Sequence, residues 1–177
     1  MLRLTGLAML LIATDLVAAA PAEKINLTVN AASTAGAGAP LGTIVFRSTR
    51  HGLRVTYHVV GLTPGAHGMH IHAGGTCAPG LDKSGKVIAA GAAGGHYDPG
   101  MTDKHMGPEG MGHLGDLPFI TADSFGHADG AVSAPHITDF NALHGHVLVI
   151  HAGGDNYADS PAPLGGGGAR VACAIIP

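Results

Sequence analysis

The chain has 177 residues, a length that suits one domain with a hydrophobic core, and no second composition block divides it. Only 12% of its residues are charged, and the formal net charge is −3. No cluster of lysine and arginine could follow a phosphate backbone, so nucleic acid is not expected as a partner.

The first 22 residues have the anatomy of a secretory signal. Arg3 precedes an apolar stretch from residue 4 to 13, and small residues follow up to Ala22. The apolar stretch is too short to span a bilayer, so we expect no stable membrane insertion. We therefore expect residues 1–22 to be a signal peptide and residues 23–177 to form the exported domain. A buried first strand is the alternative.

Alternating apolar residues predict strands along most of the remaining chain. The expected strands cover residues 25–29, 41–46, 53–62, 68–72, 117–120, 131–136, 146–151 and 170–176. A helical turn is expected only within residues 138–143. About eight short strands joined by glycine-rich turns predict an all-β fold, an antiparallel sandwich or barrel.

One residue separates His70 from His72 in the expected strand 68–72. Because a strand turns alternate side chains toward the same face, both imidazoles face one side. His151 ends another expected strand, whereas His146 lies five residues earlier and faces the opposite side. A set of imidazoles suits copper, so His70, His72 and His151 predict a copper site.

Residues 74–116 lack periodicity, and an insert of that length inside a compact domain needs a reason. Four of its side chains have the nitrogen and oxygen donors of a tetrahedral zinc site: His96, His105, His113 and Asp116. Zinc binding there would supply the folding free energy that the insert does not obtain from a hydrophobic core.

Three methionines recur every five residues in this insert: Met101, Met106 and Met111. We expect them to pack within the loop, since methionine commonly fills irregular apolar space. Loading of Cu(I) by the thioethers is the alternative.

The chain has two cysteines, Cys77 and Cys173. In an exported protein an even pair most simply forms one disulfide, which would tie a loop to the last strand. Two buried thiols are the alternative.

Five segments together form a specific pattern: GAHGMHIH (65–72), GGHYDP (94–99), GHLGDLP (112–118), HAGGDNY (151–157) and PLGGGGARVAC (163–173). In these segments the chain resembles the copper/zinc superoxide dismutases, specifically their bacterial exported branch. Met69 departs from the phenylalanine that this family usually has between the paired histidines. The resemblance implies an eight-stranded Greek-key β-barrel of immunoglobulin-like type with long metal-binding loops.

The resemblance also implies the site residues. Copper would be bound by His70, His72, His96 and His151. Zinc would be bound by His96, His105, His113 and Asp116. His96 would then bridge the two metals, and Asp155 would link His70 to His105. Arg170 would lie beside copper, and Cys77 with Cys173 would form the intrasubunit disulfide.

The implied reaction is dismutation of superoxide to dioxygen and hydrogen peroxide by alternate reduction and oxidation of copper, with Arg170 and His96 as catalytic residues. The implied location is the periplasm, and a homodimer is expected. Because the net charge opposes an anionic substrate, we expect Lys83 and Lys86 to steer superoxide, with a solvated turn as the alternative. A metal buffer and an adhesive β-sandwich are the competing functions.

Overall fold

The computed structural model describes residues 23–177, so the expected signal peptide, residues 1–22, lies outside the described residues. The strands are β1 Lys24–Ser33, β2 Gly36–Thr49, β3 Gly52–Val59, β4 Gly65–His67, β5 Met69–His72, β6 Gly80–Leu81, β7 Val87–Ile88, β8 Ile120–Ala122, β9 Ala128–Ala134, β10 Val147–His151 and β11 Arg170–Ile175. Short 3₁₀ helices cover Gly91–Ala93, Asn141–Leu143 and Pro163–Gly166. No helix in this part of the chain has the length and apolar character needed to cross a bilayer.

Seven strands form one curled antiparallel sheet in the order β5-β10-β11-β1-β2-β3-β9. Strands β5 and β9 form the two edges of this sheet. In the chain, β4 directly precedes β5 and β8 directly precedes β9, and β4 pairs with β8 in a separate two-stranded ribbon. The ribbon of β4 and β8 therefore connects the two edges of the curled sheet. A small hairpin of β6 and β7 lies in the loop that follows β5.

The core fills the inside of the curled sheet. In β1, Ile25, Leu27 and Val29 are buried and alternate with exposed residues, as expected of a strand with one face on the core. Strand β10 is buried on both faces. Leu148 and Ile150 join the main core, whereas Val147 and Val149 pack in a smaller cluster with Cys173 and Cys77. The loop that follows β5 contributes Cys77, Ala90 and Ala93 to this smaller cluster and so packs against β10.

The structure confirms the all-β antiparallel class, although the expected count of eight strands is approximate. β2 extends well beyond the expected 41–46, because small residues at its start pair with the end of β1 past an irregularity in register near Asn30. The expected strand 117–120 begins three residues later, and the expected strand 131–136 is shifted to Ala128–Ala134. Helical turns occur at two places besides the expected one.

Candidate metal centre

Strand β5 positions the paired histidines. Met69 and Ile71 point into the core and are fully buried, so His70 and His72 share the opposite face, as predicted. Met69 fills core volume at the position where the sequence departs from the family that it resembles. Two isolated β-bridges, His70↔Asp116 and His72↔His96, hold the long loop of residues 74–116 against this face.

Four imidazoles converge at this face. A ligand nitrogen from each lies within 4.8 Å of the others: His70, His72, His96 and His151. All four residues are buried. His151 reaches the group because β10 pairs directly with β5 in the sheet. His146 lies outside the group and contacts Tyr97 and the carbonyl oxygen of Ala73.

The hydrogen bonds of two of these rings leave their lone pairs facing each other. His72 Nδ1 donates to Gly94 O at 2.9 Å, and His151 Nδ1 donates to Gly168 O at 3.2 Å. Because a carbonyl oxygen only accepts, the proton of each neutral ring is on Nδ1. The two Nε2 atoms, 3.3 Å apart, therefore both present lone pairs. A cation between them satisfies both.

Burial keeps the rings of His72, His96 and His151 neutral. Desolvation, with a smaller contribution from nearby His70, lowers the pKa of His151 to about 3. Desolvation lowers the pKa of His96 to about 4, although a hydrogen bond to Asp116 opposes the shift. The pKa of His72 is also well below its ordinary value, mainly through desolvation. Neutral imidazole is the form that binds metal.

A second group shares two of these histidines. It consists of His70, His96, His105 and Asp116, again with ligand atoms within 4.8 Å. The Asp116 carboxylate is central: its Oδ1 lies 2.9 Å from His96 Nδ1, and its Oδ2 lies 2.9 Å from His105 Nδ1. His113 adjoins the group, with Nδ1 3.4 Å from Asp116 Oδ1.

Three buried side-chain nitrogens within residues 23–177 have no hydrogen-bond partner: Nδ1 of His70, His105 and His113. His105 Nδ1, although close to Asp116, is not aligned for a hydrogen bond. A buried polar atom left unpaired is costly, unless a ligand satisfies it. These atoms point to metal ions, one for each group.

Asp155 fixes the orientation of two of these rings. Its Oδ2 accepts from His70 Nε2 and its Oδ1 accepts from His105 Nε2, both at 2.7 Å. These bonds place the ring protons on Nε2 and leave Nδ1 free for a metal. Desolvation opposes the shift, but hydrogen bonds to His105 and His70 hold the pKa of Asp155 well below its ordinary value. Burial by itself lowers the pKa of His105, yet the neighbouring carboxylates of Asp116 and Asp155 raise it to about 9.

The tight turn around Gly165 was not singled out by the sequence reasoning. Its φ is +69°, and a Cβ there would lie 2.0 Å from Asp155 Oδ1 and 2.8 Å from His105 Nε2. The residue therefore covers the hydrogen bond between these two side chains. The run of four glycines was visible in the sequence, but which one makes the close approach depends on the fold.

Arg170 is held beside the copper-side group. Its guanidinium donates to Ala90 O at 2.6 Å and to Gly94 O at 2.5 Å. The Gly94 carbonyl oxygen also accepts from His72, so Arg170 and a candidate copper ligand share one anchor. Cys77 and Cys173 form the predicted disulfide, which ties the same loop to β11.

An open cavity of about 480 Å³ leads to the site, and we call it the channel. Lys83 lines it together with His96 and Arg170, whereas Lys86 lines a neighbouring groove that also reaches Arg170. The two lysines expected to act together are thus placed differently. Asp98 and Asp103 also line the channel.

His67 and the loop methionines lie outside both metal groups. His67 is buried and bonds to the carbonyl oxygens of His151 and Thr63, each at 2.7 Å, so it has a structural role outside both metal groups. The expected packing of the loop methionines is wrong, because Met101 and Met111 are largely exposed and Met106 is nearly half exposed. Their side chains therefore face solvent and add little to the packing of the loop.

Comparison with known proteins agrees with this geometry. The sequence model of the family described as copper/zinc superoxide dismutase matches residues 41–176. A Cu-Zn superoxide dismutase of Salmonella typhimurium is 48% identical over 159 residues, covering 90% of each chain. A second, from Brucella abortus, is 47% identical over 155 residues, covering 88% of this chain and 89% of the relative.

Solved structures show the same similarity. The Brucella abortus Cu/Zn superoxide dismutase superposes with a TM-score of 0.85 at 46% identity, covering 88% of this chain and all of that one. The structure described as the monomeric copper, zinc superoxide dismutase of Salmonella enterica gives a TM-score of 0.77 at 46% identity, with the same coverage.

Proposed function

The chain belongs to the copper/zinc superoxide dismutase family, and on that premise we propose which of its residues bind each metal. Copper is assigned to the four imidazoles His70, His72, His96 and His151. Zinc is assigned to His96, His105, His113 and Asp116. The facing Nε2 lone pairs of His72 and His151 are the observation that carries the copper assignment.

His70 is geometrically close to both groups, but its Nδ1 can serve only one ion. The zinc side has His113 as a fourth donor, because its Nδ1 is buried without a partner beside Asp116. The copper side has no such replacement among the residues in its group. We therefore place His70 on copper and His113 on zinc.

The reaction of the family is the conversion of two superoxide ions and two protons to dioxygen and hydrogen peroxide. Copper, when bound, supplies the chemistry by accepting an electron from one superoxide and returning it to another. His96 has one ring nitrogen for each metal group, and we propose that its Nε2 holds and gives up one of the two protons. Asp116, Asp155 and the Gly94 carbonyl keep the ligand rings oriented.

Arg170 is the positive charge that attracts and positions the substrate anion. Two backbone carbonyls fix its guanidinium in the lining of the channel, beside His96. Desolvation lowers the pKa of Arg170, yet arginine stays charged at neutral pH. We assign Lys83 to steering along the channel and give Lys86, in the adjoining groove, a smaller part.

A matched pair of variants tests the assignment of ligands to metals. His151→Ala removes a ligand of the copper group alone, so we expect loss of copper and of superoxide consumption with zinc retained. His113→Ala removes a ligand of the zinc side alone, so we expect weakened zinc binding with copper retained. Metal content by mass spectrometry and a superoxide-consumption assay measure both. Loss of the opposite metal in either variant contradicts the assignment, as does a wild-type chain with both metals and no activity.

The disulfide and the bacterial relatives indicate an exported protein. We propose the periplasm as its compartment, with residues 1–22 removed as a signal peptide and residues 23–177 as the mature domain. Cell fractionation and the mass of the purified chain test this. A cytoplasmic chain with an intact amino terminus contradicts it.

A homodimer is the proposed assembly. Its support is a set of exposed large apolar side chains, among them Leu81 and Phe125, which association would cover. Sedimentation of the metal-loaded protein tests the proposal. A single species with the mass of one chain across micromolar concentrations contradicts it.

A further inference from the structure

Asp159 is an exposed acidic residue with two specific contacts near the zinc side. Its Oδ2 accepts from the backbone N–H of His105 at 2.9 Å. Its Oδ1 accepts from the backbone N–H of Leu164 at 3.3 Å. One carboxylate therefore ties together a zinc-side histidine and the turn that contains Gly165, two segments that are far apart in the chain.

That turn has a demanding conformation. Leu164 has a φ of +53° and Gly165 a φ of +69°, both in the left-handed region, which is costly for leucine. Further backbone bonds hold it against the segment after Asp155: Gly165 N donates to Ala158 O, and Asn156 N donates to Gly165 O. The turn persists because its surroundings fix it, and Asp159 adds a side-chain contact to these backbone bonds.

The turn covers the bond that orients the zinc-side ring. Gly165 packs directly against the hydrogen bond between Asp155 and His105, and a side chain at Gly165 would collide with both partners. Movement of the turn would open this bond to water, and movement of the His105 backbone would displace the ring itself. Asp159 restrains both movements at once.

From these contacts we infer that Asp159 is a positioning residue for zinc, holding His105 and the cover over its Asp155 bond in the geometry that retains the metal. It touches neither metal nor substrate, so its effect is on how long zinc stays bound. This inference rests on the proposed zinc site.

The chain offers a matched control in Asp123. Its carboxylate also accepts two backbone N–H groups, from Phe125 at 2.8 Å and His127 at 2.9 Å. It closes the loop between β8 and β9, and none of its bonds involves a member of either metal group. Removing it tests the general cost of losing a carboxylate that closes a loop.

The experiment measures zinc release from the metal-loaded, full-length protein to an excess of a chromophoric chelator. We expect Asp159→Ala to release zinc about tenfold faster than wild type, within the range for groups that support metal ligands. Asp159→Asn, which keeps one oxygen acceptor, is expected to lie between them. Asp123→Ala is expected to release zinc at the wild-type rate.

A second readout follows the copper side, because Asp155 also orients His70. The electron paramagnetic resonance spectrum of bound Cu(II) should change in Asp159→Ala and not in Asp123→Ala. Equal release rates in Asp159→Ala and wild type overturn the inference, and so does equal acceleration in both alanine variants. If wild type itself binds no zinc, the proposed zinc site fails instead.

Discussion

Gly165 lies against the Asp155–His105 hydrogen bond at a distance that leaves no space for a methyl group. Gly166, the next residue, has a similar φ of +79°, but a Cβ there meets only Ala162 at an ordinary 3.5 Å. The two glycines therefore separate the cost of a left-handed backbone from the cost of a clash.

We expect Gly166→Ala to lower the free energy of unfolding by about 1 kcal/mol, the cost of alanine in the left-handed region. Gly165→Ala adds the clash, so it should lose more stability and a large part of its zinc. Urea unfolding and metal content measure these effects. Equal behaviour of the two variants would show that the close approach has no consequence.

The channel gives the two lysines different expected effects. Lys83→Ala should lower kcat/KM for superoxide about twofold to threefold at low ionic strength and weaken its salt dependence, because exposed charges act through screened fields. Lys86→Ala should have a smaller effect. Pulse radiolysis at several salt concentrations measures both. An unchanged rate and an unchanged salt dependence in Lys83→Ala would show that this segment is a solvated turn with no role in steering.

The sequence points to several of the candidate ligands because they obey local rules. His70 and His72 follow strand parity, and His113 with Asp116 follows the spacing of one turn. Asp159 and Gly165 obey no such rule, since their contacts join segments far apart in the chain. Only the folded structure brings them together.

At the level of elements, the loop between β5 and Gly94 is an anchor for the site and has little regular structure. The disulfide holds it to β11, and its carbonyls at Ala90 and Gly94 hold Arg170. The double variant Cys77→Ser with Cys173→Ser should lose about 4 kcal/mol of unfolding free energy, the entropy of closing a loop of this size.

Urea unfolding with and without a thiol reductant measures the disulfide's contribution. The double variant should match reduced wild type, and the reductant should not change the variant further. Activity should also fall in the variant, because the anchor of Arg170 loosens. Unchanged stability in both comparisons would contradict this account of the loop.

Alternating apolar residues predict some of the strands and miss others. β1 and β3 show clear alternation and were predicted close to their observed positions. The first half of β2 is exposed and rich in glycine and alanine, so it has no periodicity, and only pairing with β1 defines it. β4, β6 and β7 are too short for a hydrophobic pattern to exist.

In the molecule as a whole, the curled sheet has its own core, whereas the long loop depends on the metal centre. Removing both metals with a chelator should therefore lower the unfolding temperature by about 10 °C, from a loss of about 4 kcal/mol of ligand stabilisation. Amide exchange should rise first in residues 98–114 and stay slow in β1, β2 and β3. Uniform exchange across the sheet and the loop would contradict this division.

The central claim is that two metal ions share His96. A crystal structure of the loaded protein, with anomalous diffraction measured on both sides of the copper and zinc absorption edges, tests it most directly. The account predicts copper beside His72 and His151, zinc beside His105 and His113, and the His96 ring between the two peaks. A single peak, or two metals that do not share His96, would contradict it.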